Sequence, residues 1–142
     1  MKRKFKFGDL EVLIPYQKEF YLYEKEIKLL YEKNQDKIAD TNSFEFIRDN
    51  TFFYLFLLNK KPIGAIYYFK DDGKMFLNGF AIRKNLEANL ACLKWSTTWF
   101  NCDIYAEAQN RASAYCLLRC GFKRINSKLF LLNQQPILNP QK

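Results

Sequence analysis

Asn110-Arg-Ala-Ser113-Ala-Tyr-Cys-Leu117-Leu-Arg-Cys-Gly121-Phe122 is the stretch on which the reading of this chain turns. It has the outline of one short helix. Asn110 is of the residue types that cap a first turn, and Gly121 is of the type that ends a helix in a left-handed conformation. Cys116 and Cys120, four apart, share a face of that helix. Extended segments flank it, Asp103 to Ala108 before and Lys123 to Leu132 after.

Upstream, Asn85 to about Phe100 has helical spacing, with Leu86, Leu90, Leu93, Thr97 and Phe100 on one face. Before it the period is extended. Phe52 to Leu58, Ile63 to Phe69 and Met75 to Ile82 are three strands joined by turns at Asn59-Lys60-Lys61-Pro62 and Asp71-Asp72-Gly73, an antiparallel meander. Near the start, Leu10 to Ile14 is a strand stopped by Pro15. A long amphipathic helix then runs from Pro15 to about Lys37, with Phe20, Tyr23, Ile27, Leu30, Tyr31 and Ile38 at spacings of three and four. Ser43 caps a short helix ending near Asn50. The order is β, α, α, β, β, β, α, β, α, β, which predicts an α/β class with a mixed (α+β) sheet in a single domain over residues 1–142.

At 142 residues, 49% hydrophobic and 27% charged, the chain suits one globular unit. It has no His, so the usual neutral base and most catalytic zinc sites are excluded, and chemistry falls to carboxylates, Tyr, Cys, backbone groups or a cofactor. Its apolar runs, such as Thr51 to Leu58, fall far below the roughly 18 residues that span a bilayer. The basic start, Met1 to Lys6, is followed by Asp9 and Glu11 where an export signal needs an apolar core. The four cysteines form no CxxC pair, so the expectation is reduced, buried thiols in a cytoplasmic protein, holding no metal. Net charge is +8, yet the basic residues come in scattered pairs, Lys60-Lys61, Arg83-Lys84 and Lys123-Arg124. No dense stripe forms, which argues against nucleic acid; the surplus charge is either a compositional tilt of this Lys- and Asn-rich chain or an attraction to a polyanion such as a phosphate-bearing cofactor.

The meander followed by helix, strand, helix, strand resembles the GNAT (Gcn5-related N-acetyltransferase) fold over roughly Phe52 to Leu132. GNAT proteins commonly show Asn, a small residue three on, and Gly-Phe eleven and twelve on; here Asn110, Ser113, Gly121 and Phe122 occupy those slots. The resemblance implies that the strands near 74–83 and 102–108 lie adjacent and parallel and splay apart, leaving backbone groups to pair with the amide-like arm of a coenzyme A thioester. It implies acetyl-CoA as cosubstrate, Asn78, Phe80 and Ala81 on one wall, and Asn110 reaching the thioester end. Arg83, Lys84 and Arg111 would meet the phosphates, with the pyrophosphate at the N-terminus of the helix after Asn85. Arg83 and Ala88 match the family's phosphate loop. Leu86 stands where that loop has Gly, Glu87 adds a negative charge, and Leu117 stands where many members carry an acidic Tyr. Tyr115 lies about 200° away around the helix and is a poor substitute.

Glu107, beside the cleft, is either the base that takes a proton from an incoming ammonium or a solvated carboxylate. Asn78, polar in an apolar strand, marks a bulge or a ligand contact. Asp103 is read as exposed and Tyr105 as wall or core. Arg83 and Lys84 either meet phosphate or end a strand in solvent. The aromatics are read mostly as core, with a surface stripe for a protein partner as the alternative. The leading function is an acyl-CoA-dependent N-acetyltransferase, a transferase acting on an unidentified amine. The alternative is a non-catalytic GNAT-fold phage or bacterial assembly protein, since small phage-encoded head-assembly proteins are similar in size and helix signature.

Overall fold

The computed structural model describes residues 1–38, 40–81 and 85–134. The strands are β1 (Lys2–Phe5), β2 (Gly8–Leu13), β3 (Phe52–Leu58), β4 (Lys61–Asp71), β5 (Lys74–Ala81), β6 (Ile104–Glu107), β7 (Lys123–Arg124) and β8 (Leu129–Leu132). The helices are α1 (Phe20–Lys33), α2 (Gln35–Ile38), α3 (Phe44–Asn50), α4 (Leu86–Thr97) and α5 (Arg111–Arg119). The strands form one sheet in the order β1-β2-β3-β4-β5-β6-β8-β7. Its β5–β6 pair is parallel, and the other pairs are antiparallel. The mixed sheet and the adjacent parallel strands are those the sequence predicts.

Strand alternation sorts the core onto two faces. Phe53, Leu55, Leu57, Ala65 and Tyr67 meet Phe20, Ile27, Tyr31, Phe44 and Ile47 of α1 and α3 on one face. Residues of opposite parity, among them Tyr68, Leu77, Ile104 and Ala106, meet Leu93 and Leu117 of α4 and α5 on the other. The capping logic holds at the starts of α3 and α4, whereas α1 begins without a side-chain cap. Ser43 Oγ accepts the Phe46 amide at 3.1 Å, and Asn85 Oδ1 accepts that of Ala88 at 3.1 Å. At the end of α5 the Gly121 amide donates to Leu118 and that of Phe122 to Leu117, with Gly121 at φ +93°. This is the left-handed closure the Gly-Phe pair predicts.

Four elements differ from the sequence reading. The basic N-terminus is a strand, β1, whose lysines suit a sheet edge. The long helix starts at Phe20 because Pro15 to Gln17 forms a turn in which Gln17 Oε1 accepts the Ile14 amide at 2.8 Å. It also breaks at Asn34, which separates α1 from α2. Pro62 lies in β4, at a register shift against Phe56 and Leu57, and the turn is Asn59-Lys60, both at positive φ. The last strand is a hairpin, β7 and β8, turned around Asn126, whose Oδ1 accepts the amides of Lys128 and Leu129.

Candidate active site

Strands β5 and β6 pair at Met75 with Ile104, Phe76 with Tyr105 and Leu77 with Ala106, and no further. Beyond that rung β5 continues against β4, from Asn78 opposite Tyr67 to Ala81 opposite Gly64. Glu107 lies opposite Leu129 on β8, and the Ala108 amide donates to Lys128. The sheet parts between them and leaves a cleft of about 560 Å³. One wall is Leu77 to Phe80 and the other is Ala106, Glu107 and Gln109. Asn89, Cys92 and Leu93 of α4 and Ser113, Cys116 and Leu117 of α5 line its near face; Asn34, Lys37 and Ile38 close the far side.

Of the site residues singled out in the sequence, Asn78, Phe80, Glu107 and Asn110 line this cleft. Asn78 is not an orphaned amide. Its Nδ2 donates to Tyr67 Oη at 3.0 Å and to the Ile38 carbonyl at 3.3 Å, while its Oδ1 accepts the Gly79 amide at 2.9 Å. Asn110 uses its side chain locally, its Oδ1 accepting the Ser113 amide at 2.9 Å in a reciprocal capping box. Ala88 is fully buried beneath the sheet and gives its amide to Asn85, so its side chain packs and does not face the cleft. Arg111 is exposed at the start of α5 and lies off the cleft lining. Ala81 ends the β4–β5 ladder, and Arg83 and Lys84 lie outside the described residues. Leu117 lines the cleft, whereas Tyr115 is exposed, under the Arg119 guanidinium. Asp103 accepts the Gln134 amide at 2.8 Å and ties the end of β8 to β6. Tyr105 joins an aromatic row, 5.6 Å from Phe76.

A smaller pocket of about 220 Å³ adjoins the cleft and shares Ile38, Leu77, Asn78, Glu107 and Gln109 with it. Its other lining residues are Asp40, Thr41, Asn42, Phe69 and Phe76. Sequence reasoning missed this loop. Its signal is the polar run Asp40-Thr41-Asn42 that stands just ahead of the Ser43 cap. Asp40 Oδ1 accepts from the Asn42 amide and Asn42 Nδ2, each at 2.9 Å, and its Oδ2 accepts from Tyr67 Oη at 2.7 Å. Tyr31 Oη donates to the Asn42 carbonyl at 2.8 Å. Burial and then the Asp40 charge push the Tyr31 phenol up to about 12, and the same causes raise Tyr67 further. Both stay neutral and hold the loop by hydrogen bonds.

Gly79 was also missed. A Cβ there would meet the Ala65 carbonyl oxygen at 2.8 Å, so only glycine lets the cleft wall cross β4 this closely. All four cysteines are free. Burial raises the thiols of Cys116 and Cys92, the latter to about 12, so these cleft-lining sulfurs are neutral near pH 7 and unsuited to act as nucleophiles.

No family model and no curated protein matches this chain in sequence. Solved structures do match it in fold. The ribosomal-protein-S5-alanine acetyltransferase from Vibrio fischeri superposes with a TM-score of 0.61 at 13% identity, covering 94% of this chain and 97% of that one. A GNAT-family acetyltransferase from Bacillus anthracis gives 0.61 at 15% identity over 94% and 99%. Mycobacterium smegmatis RimJ, in complex with CoA-disulfide, gives 0.61 at 9% identity over 94% and 86%. At such identities the likeness establishes the fold, and this chain has the GNAT fold.

Proposed function

We propose that the chain is a cytoplasmic acyl-CoA-dependent N-acetyltransferase that moves acetyl from acetyl-CoA to an amine. The observation that carries this reading is the end of the parallel ladder at Leu77 and Ala106, which opens a cleft between two strands of the GNAT fold. A thioester arm built of amides suits strand edges that have lost their neighbour. Asn78, Phe80 and Ala81 form one wall for it. Arg83, Lys84 and Arg111 serve the phosphates, together with the N-terminus of α4, behind which Ala88 packs.

The chemistry follows from the residues present. Glu107, exposed on the cleft wall, accepts a proton from the incoming ammonium. The freed nitrogen lone pair forms a bond to the thioester carbonyl carbon, the carbon–sulfur bond breaks, and the thiolate leaves. Leu117 supplies no proton in the slot where many GNAT proteins have Tyr. The acylated nitrogen then sheds its second proton to water, and the thiolate, a good leaving group near neutral pH, leaves as such or takes that proton through water, while Glu107 releases the first to solvent. Asn110, with its side chain closed into the cap of α5, fixes the position of the first turn beside the thioester.

Calorimetric titration of the full chain with acetyl-CoA is the test. Saturable binding with one site, weakened by salt, supports the reading. Absence of binding at millimolar acetyl-CoA overturns it and returns the chain to a non-catalytic use of the fold.

A further inference from the structure

The smaller pocket has a chemical bias opposite to that of the chain. The sequence carries 23 Lys and Arg against 15 Asp and Glu, yet this lining holds Asp40 and Glu107 and no basic residue among those described. Lys37 lines the larger cleft, not this pocket. The remaining walls are Thr41, Asn42, Asn78 and Gln109, which offer hydrogen bonds, the aliphatic Ile38 and Leu77, and two phenylalanine rings stacked at 5.9 Å, Phe69 and Phe76.

Asp40 is held in place before any ligand arrives. Three donors from Asn42 and Tyr67 fix its carboxylate, and they leave acceptor capacity, since two oxygens offer about four lone-pair sites. A carboxylate oriented in advance loses little on binding a cation. The aromatic row beside it already takes one cation at its far end, where Lys74 Nζ sits 5.3 Å over Tyr105, outside this pocket. Phe69 and Phe76 offer the same negative ring faces within it. Glu107 and Asn78 belong to both chambers, so the pocket opens at the point where the two strands part.

We infer that this pocket seats the acceptor and selects a compact amine bearing a second positive charge. Asp40 and the Phe69–Phe76 rings hold the second charge while Glu107 faces the reacting nitrogen. The inference rests on the transferase reading and adds the acceptor's class to it. At about 220 Å³ the pocket admits a short aliphatic diamine or the end of a basic side chain, and it is below the size of drug-like sites. A second ammonium also explains why two carboxylates sit in one small polar chamber: one pairs with a charge that stays, the other with a proton that leaves.

The test compares three amines of matched length as acceptors for the full chain with acetyl-CoA, followed by thiol release: putrescine, n-butylamine and γ-aminobutyrate. The expected order of kcat/KM is cationic, neutral, anionic, with about tenfold between putrescine and butylamine. Asp40→Asn compresses that ratio to within about threefold. Equal rates for the three, or a preference for the anion, overturn the inference. Should none be acetylated, calorimetry of putrescine into the wild-type chain decides separately. Binding that Asp40→Asn abolishes upholds the pocket while the transferase reading falls; absence of binding, or binding that Asp40→Asn leaves intact, overturns the pocket. If Asp40→Asn does not fold, Phe76→Leu replaces it: a reduced preference for the dication upholds the inference, and an unaltered one overturns it.

Discussion

Leu77 and Ala106 face each other across the last rung of the parallel ladder, and the residues that follow them part company: Asn78 lies opposite Tyr67 on β4, Glu107 opposite Leu129 on β8. The cleft is thus made by two strands that each stay with their outer neighbour. Its walls are ladder backbone, more rigid than a loop.

Glu107→Gln keeps the size of the side chain and removes its basicity. Steady-state turnover of an accepted amine at neutral pH falls by about 10²-fold, the usual size of a lost general base, while calorimetry gives an acetyl-CoA affinity close to that of the wild type. Unaltered turnover eliminates this residue as the base.

Leu86 is half-exposed and Glu87 exposed in the first turn of α4, where the helix dipole favours an anion. Leu86→Gly with Glu87→Gln tightens acetyl-CoA several-fold, because a like charge worth about 0.3–1 kcal/mol is gone and the phosphates approach more closely. The gain shrinks as potassium chloride is added. An unchanged affinity locates the pyrophosphate elsewhere.

Tyr67 Oη joins Asn78 to Asp40, and Asn78 joins β5 to the end of α2. Tyr67→Phe and Asn78→Ala each leave half-buried partners unsatisfied and cost about 1 kcal/mol in urea unfolding. The double variant costs less than the two added together, by a coupling of about 0.5 kcal/mol, because each single change already breaks the shared bond. Strict additivity contradicts the network.

Tyr31 and Tyr67 bind their protons more tightly folded than unfolded, so from pH about 10 upward the folded chain holds protons the unfolded chain releases. Stability is intact below that point and falls as pH rises toward 12. Absorbance of phenolate and loss of near-ultraviolet circular dichroism therefore appear in one cooperative step. In Tyr31→Phe that step contains one tyrosine fewer and moves to higher pH, relative to the variant's own neutral stability. A smooth, uncooperative titration of all tyrosines contradicts this.

The meander, α4, β6 and α5 were readable because the period of the apolar residues switches between two and 3.6 at clear turn and cap residues such as Gly73, Asn85 and Gly121. The basic strand β1 was not, since three lysines and an arginine among the chain's first six residues obscure an alternation that only β2 makes useful. Asn78 announced itself as a polar group needing partners. Those partners, Tyr67 eleven residues back and Ile38 forty back, depend on strand register and on where a helix ends. Asp40 was silent for the same reason: the hydroxyl it receives comes from 27 residues away. Side chains that act through long-range neighbours leave no local period.

The two rims of the sheet share a property that bears on life in a crowded solution. One rim is β1, with Lys2, Arg3 and Lys4, and the other is β7, with Lys123 and Arg124. A bare strand edge is a template on which a second molecule can zip. Here any such zipper must bring like charges face to face, within the few ångströms that separate paired strands. Part of the chain's surplus of positive charge thus serves as a fence against fibrous self-stacking, one that high salt would lower.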